Sequence, residues 1–115
     1  MYIIKEEGEV VTLDEFKKLE LKVAEIKEVS DHPNADRLYV ITIDLGDKTK
    51  QIVAGIKSSY DKESLVGKQV VVVDNLEPVS LRGVESQAML LAAQDEQGTC
   101  IISPQRKVAP GSIVK

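Results

Sequence analysis

The spacing of apolar and polar positions changes along the chain, and each change marks an element. Thr12-Leu13-Asp14-Glu15 sets a hydroxyl at a helix N-cap with a Glu three residues on, the reciprocal pair that satisfies two otherwise free N–H groups. A short helix is expected to follow, its Leu13 and Phe16 plugging one end of a larger body. From Leu19 the period shortens toward two. Leu21, Val23, Ala24, Ile26 and Val29 describe a long strand whose alternation slips midway, as a bulge in a curving strand produces. Ser30-Asp31-His32-Pro33-Asn34-Ala35-Asp36 is dense in turn formers. Leu38 to Leu45 reads as a second strand, closed by the hairpin signal Gly46-Asp47-Lys48, and Lys50 to Ile56 as a third.

Beyond it, Ser58-Ser59 precede Tyr60 to Gly67, where a serine cap, early acids and a closing glycine predict a helix of one or two turns. Gln69 to Asp74 is an almost unbroken valine run, the signature of a strand buried on both faces. Asn75 to Glu85 reads as a long loop and Ser86 to Ala93 as a fifth strand. A turn at Asp95–Gly98 and a strand at Cys100–Ser103 follow, then an end punctuated by Pro104, Pro110 and Gly111. Three strands, a short helix and two strands define an all-β chain with the order of a five-stranded Greek-key barrel. An SH3-like barrel has a similar strand count. The helix between the third and fourth strands, with the valine run after it, favours the oligonucleotide-binding (OB) fold. Residues 1–12 are expected to be a lead-in, with a short β-like apolar start and an acidic middle. Residues 13–115 are expected to form the domain, with short helices and a C-terminal β extension.

Composition narrows the function. A chain of 115 residues has room for one domain. Its four aromatics are Tyr2, Phe16, Tyr39 and Tyr60, with no Trp, so the core must rest on Val, Ile and Leu. Cys100 is alone, which excludes an intramolecular disulfide, and its setting in Thr99-Cys100-Ile101-Ile102 is that of a small buried strand residue. His32 is the one histidine and reads as a solvent-exposed loop residue, with no second metal ligand at helical or strand spacing. Gly55, Gly67 and Gly83 are isolated, so there is no glycine-rich phosphate loop. Neither a catalytic constellation, a cofactor nor a metal site is implied. Met1-Tyr2-Ile3-Ile4 runs at once into Lys5-Glu6-Glu7, unlike a signal peptide, and no apolar run approaches a membrane span. A cytoplasmic protein is expected.

The net charge of −4 is awkward for a nucleic-acid partner, because lysine and arginine carry most of the affinity for phosphate. Its distribution softens the objection: residues 1–36 hold ten acids against five bases, while 37–82 hold six against seven. In OB folds the ligand face comes from the second and third strands with the loops joining strands one to two and four to five. Those two loops carry the most distinctive chemistry in this chain. In the first, Asn34 and Arg37 are donors able to reach sugar and phosphate, although the stretch also reads as a turn that merely closes the barrel. In the second, Asn75, Arg82, Ser86 and Gln87 supply hydrogen-bonding groups without strong charge, suited to base edges and 2′-hydroxyls.

At these residues the chain resembles a known family. The resemblance rests on Glu15-Phe16 before Leu21-Lys22-Val23-Ala24, on His32-Pro33-Asn34-Ala35-Asp36, and on Leu45-Gly46. It continues through Ile52-Val53-Ala54-Gly55-Ile56, Leu65-Val66-Gly67-Lys68 and Asn75-Leu76-Glu77-Pro78, to the most specific run, Arg82-Gly83-Val84-Glu85-Ser86-Gln87-Ala88-Met89. The chain is similar to the tRNA-binding domain found as a stand-alone protein, at the C-terminus of many methionyl-tRNA synthetases and in the endothelial-monocyte-activating polypeptide. The resemblance implies a non-catalytic OB barrel, often a homodimer, that grips tRNA by shape, alone or as an appendage or partner of an aminoacyl-tRNA synthetase. It also implies tRNA contacts at Asn75, Ser86 and Met89, the last of which periodicity alone reads as a core residue. Lys50, Lys57 and Lys68, with Arg37 and Arg82, are the cations that could line the face. One departure stands out: Glu77 occupies the place where the family usually has Lys, and Val79 and Ser80 follow where basic residues are usual. Fewer cations imply weaker binding with a shallower salt dependence. They also leave open a peptide-binding alternative like the CsaA-type export chaperones, which resemble this domain. A dimer would need an apolar patch beyond the barrel, for which the Phe16 helix, Cys100–Ile102 and Ile113-Val114 are candidates.

Overall fold

The computed structural model describes residues 9–115. Helix α1 (Leu13–Lys17) starts at the expected capping box: the Thr12 hydroxyl accepts from the Glu15 N–H, and the Glu15 carboxylate accepts from the Thr12 N–H. Strand β1 (Leu21–Asp31) then organises the molecule. Its first half pairs antiparallel with β4 (Gln69–Val73), from Leu21 opposite Val73 to Glu25 opposite Gln69. Its second half pairs with β2 (Tyr39–Asp44), and the register shifts between Ile26 and Glu28. The alternation slip in the sequence is this bulge, which bends one strand enough to serve both halves of a barrel. β3 (Thr49–Ala54) pairs with β2 along its whole length.

The principal sheet runs β3-β2-β1-β4-β7, where β7 is Met89–Leu90. Hydrogen bonds from β3 to residues 85–87 bring its two ends nearly together. The Gln87 N–H donates to the Gln51 carbonyl (2.8 Å) and the Gln51 N–H to Gln87 Oε1 (2.9 Å). The Val53 N–H donates to Ser86 Oγ (3.0 Å). Inside lie Ile26, Ile41, Ile43, Ile52, Val70 and Val72, all fully buried, with Leu65 of helix α2 (Lys62–Leu65) among them. Each such side chain stabilises the fold by about 1.5–3 kcal/mol relative to exposure. The core is aliphatic, as the scarcity of aromatics required.

The C-terminal extension is laced to the barrel rather than trailing from it. The Gln69 side chain donates to the Val108 carbonyl (2.6 Å) and accepts from the Val108 N–H (3.0 Å), imitating a strand partner. Strand β10 (Ile113–Val114) adds to the start of β1. Where the extension crosses the β2–β3 turn, the backbones meet so closely that a Cβ built on Gly46 would stand 2.6 Å from the Pro110 carbonyl oxygen. Gly46 also has φ +91°, a conformation that other residues adopt at a cost.

Several expectations are corrected. Helix α1 plugs nothing: none of its residues is buried, and Leu13 and Phe16 are both exposed. The expected loop at 75–85 contains a hairpin, β5 (Val79–Leu81) against β6 (Val84–Ser86), turned by Arg82-Gly83. The expected fifth strand is broken into β6, β7 and the start of β8 (Ala92–Asp95), since Ser86 and Gln87 turn inward to close the barrel. Asp61, not a serine, caps α2, and the Ser59 hydroxyl instead accepts from the Thr99 N–H. Cys100 is exposed: in β9 (Gly98–Ile101) the alternation turns Ile101 inward and its neighbour outward. The apolar start expected at Met1–Ile4 lies outside the described residues.

Candidate nucleic-acid interface

His32 is buried at 5% exposure, against the expectation of an exposed loop residue. Its Nδ1 accepts from the backbone N–H of Asn34 (2.9 Å), so the ring proton must sit on Nε2, which donates to the Leu81 carbonyl (2.8 Å). The Asn34 amide adds a bond to the Arg82 carbonyl (3.2 Å). The turn-forming loop after β1 is thereby tied to the tip of the β5–β6 hairpin. At that tip Arg82 has φ +54° and Gly83 φ +90°, the paired positive values of a two-residue hairpin turn whose twist matches the strands. Arg82 is the one non-glycine residue with positive φ among those described.

Two clefts meet across this tip. A notch of about 390 Å³ is lined by Asn34–Leu38 and Arg82, and brings together the guanidinium-bearing Arg37 and Arg82 with one carboxylate, Asp36, so that cations outnumber acids two to one. On the other side, Leu76, Val79, Leu81, Val53 and Met89 line a largely apolar groove of about 370 Å³, with Glu77 at its margin. Leu76, Val79 and Leu81 are all exposed, an arrangement that sequence reading passed over by treating 75–85 as loop. The apolar alternation at 79 and 81 was the available signal. A further cleft, about 550 Å³ between Ser58–Tyr60 and β8–β9, gathers hydroxyls, amides and the Asp95 carboxylate but no lysine or arginine.

The expected contact residues divide sharply. Asn34, Arg37 and Arg82 converge, and Met89 lies in the adjoining groove. Ser86 is buried, with its hydroxyl accepting from the Val53 N–H and donating to the Ala88 carbonyl, and Gln87 is engaged with Gln51. The Asn75 amide accepts from the Glu20 N–H (2.8 Å) and donates to the Lys18 carbonyl (2.7 Å), fixing the entry to β1. Lys50 stands 2.6 Å from Asp74 Oδ1, and Lys22 stands 3.0 Å and Lys48 3.6 Å from Oδ2. Burial pushes the Asp74 carboxyl up, but the Lys50 and Lys22 ammonium groups more than offset it and leave it at about 2. Lys57 pairs with Asp31 (3.0 Å), which also takes Lys62 (3.1 Å), and lies 5.9 Å from the Tyr39 ring centre. Lys68 lies elsewhere, in a cleft with residues 103–107. Among the described residues, Arg37 and Arg82 make no ion pair. No group of three or more His, Cys, Asp or Glu is placed to hold a metal among them.

A bent antiparallel barrel with a cationic notch beside an apolar groove, both at the strand-joining loops, defines the nucleic-acid- or peptide-binding class of small β-barrels. Residues 21–113 match the tRNA binding domain family, and the chain belongs to it. It is 53% identical over 107 residues to the methionine–tRNA ligase of Thermococcus kodakarensis, covering 93% of this chain and 14% of that enzyme. Among solved structures, a methionyl-tRNA synthetase-related protein of Pyrococcus horikoshii superposes with a TM-score of 0.86 at 34% identity, covering 93% of this chain and 99% of that one. A CsaA chaperone of Picrophilus torridus gives a TM-score of 0.86 at 29% identity, covering 92% and 100%.

Proposed function

We propose that this chain is a non-catalytic tRNA-binding module that grips RNA at the hairpin tip, as part or partner of a methionyl-tRNA synthetase in the cytoplasm. The observation that carries it is the convergence of two arginines without ion-pair partners on one notch beside the loop joining β1 to β2, while Lys50 and Lys57, the lysines expected on the same face, are occupied by Asp74 and Asp31. A guanidinium fork suits phosphate, and phosphate contacts position a protein on RNA without reading sequence. Asn34 and Met89 complete the contact surface. Lys50, Lys57, Asn75, Ser86 and Gln87 act through the scaffold that presents it. The aminoacylation chemistry of the ligase relatives would lie in the rest of such an enzyme, since this chain spans only 14% of its relative's length.

The module acts as a homodimer on this reading. Exposed Val10, Leu13, Phe16, Leu19 and Ile113 surround the capping-box helix and β10, more large apolar side chains than isolated surface positions explain. A pair of notches would then engage one tRNA, so that two weak sites act together. Phe16→Asp is expected to give a monomer in sedimentation and weaker tRNA binding with the barrel intact.

The apolar groove with Glu77 at its margin favours a second reading, capture of an extended apolar peptide. Retention of tRNA, duplex DNA and an unfolded apolar peptide, at low and at physiological salt, separates the two. Retention of tRNA alone at low salt supports RNA binding. Peptide retention without tRNA at any salt would replace it with the chaperone reading.

A further inference from the structure

We infer that His32 is a positioning residue for the RNA-contacting hairpin: its Nε2–H bond to the Leu81 carbonyl holds Arg82 where it faces Arg37. This inference rests on the tRNA reading above and assigns a role that neither the notch nor the groove explains. His32 lines neither cleft, yet it is buried and uses both ring nitrogens, one within its own loop and one across 49 residues of sequence. A buried imidazole must find partners for both ring nitrogens, and here both partners lie in the loop and hairpin that frame the notch. Here the Asn34 N–H fixes the tautomer by donating to Nδ1, and the tautomer in turn makes Nε2 the donor that the Leu81 carbonyl needs.

The geometry at the far end gives this bond its purpose. Two consecutive carbonyls, Leu81 and Arg82, are anchored from the same loop, by His32 and by Asn34. The Arg82 Cα lies between these two carbonyls, in a left-handed conformation that costs a non-glycine residue energy. The anchors determine where the Arg82 Cα stands relative to the loop bearing Arg37, and hence the separation of the two guanidinium groups in the notch. Asn34, named from sequence as a contact, does part of its work through this anchor.

The two functions of the ring can be separated. His32→Gln places an amide N–H near the position of Nε2 and keeps the donor to Leu81. His32→Asn keeps an acceptor near Nδ1 for the Asn34 N–H but cannot reach Leu81. Binding of a deacylated tRNA transcript to the full chain is expected to stay within about twofold of the unaltered protein for H32Q and to weaken about five- to tenfold for H32N, the loss of one net hydrogen bond. Arg82→Asn removes the cation while tolerating positive φ. In an R82N background, H32N is expected to weaken binding by less than about twofold, because it acts only through Arg82.

Thermal unfolding of each variant accompanies the binding measurement. If H32N does not fold, His32→Ser, whose hydroxyl can still accept from the Asn34 N–H two residues on but cannot reach Leu81, takes its place in the same cycle. The inference is overturned if H32N binds like the unaltered chain, if H32Q is as weak as H32N, or if H32N costs the same factor with and without Arg82. Those outcomes leave the tRNA reading standing. Failure of the unaltered chain to bind tRNA overturns both.

Discussion

Arg82 occupies a position that its own backbone disfavours. An L-residue at φ +54° costs of the order of 1 kcal/mol, and asparagine followed by glycine is the pair this turn type prefers. Such an outlier persists where the surrounding structure over-determines it, here through the bonds of His32 and Asn34 to the Leu81 and Arg82 carbonyls. Arg82→Asn is therefore expected to move two measurements in opposite directions: thermal stability rises slightly, by about 0.5–1 kcal/mol, while tRNA affinity falls. A fall in both would mean that the guanidinium braces the hairpin. Ser86 differs in kind. Its hydroxyl is a buried double partner at the barrel seam, so Ser86→Ala is expected to lower stability by about 1–3 kcal/mol in denaturant titration, by leaving the Val53 N–H unpaired.

Among the elements, the end of β4 carries the strongest electrostatic dependence. Asp74 is held at about 2 in the folded chain, below its ordinary value near 4, so its contribution is full above pH 4 and disappears as pH falls through about 2. The depression corresponds to about 2 kcal/mol. Unfolding free energy is expected to decline over that window, and the decline to be shallower in Asp74→Asn, which at neutral pH is less stable because Lys48 and Lys50 lose their carboxylate and Lys22 keeps only Glu20, at 3.9 Å. Equal acid slopes for both proteins would remove Asp74 from this role. This cluster also explains what the sequence could not disclose. The strands of the barrel were legible because period-two alternation and the valine run are local signals, as was the bulge between Ile26 and Glu28. Whether Lys50 or Arg37 is available to a ligand depends on a carboxylate 24 residues away in one case and on its absence in the other. His32 looked like loop surface for the same reason: its partner is the Leu81 carbonyl, and no local pattern announces a bond of that span. The hairpin was concealed by Pro78 and Gly83, which read as loop although Gly83 is the turn itself.

For the whole molecule, the decisive fact is the disparity between a net charge of −4 and a small cationic notch. Binding driven by overall attraction is excluded, so tRNA must be held by a few well-placed groups. Few phosphate contacts mean a shallow salt dependence, because each neutralised phosphate contributes roughly 0.7–0.9 to the slope of log K against log salt. The most direct test is tRNA affinity as a function of salt for the unaltered chain and for Arg37→Gln/Arg82→Asn. A slope of about −2 per protomer is expected, reduced by roughly 1.5 in the double variant, with affinity lost and the fold retained. An unchanged slope and affinity in the double variant would contradict the assignment of the tRNA site to this notch.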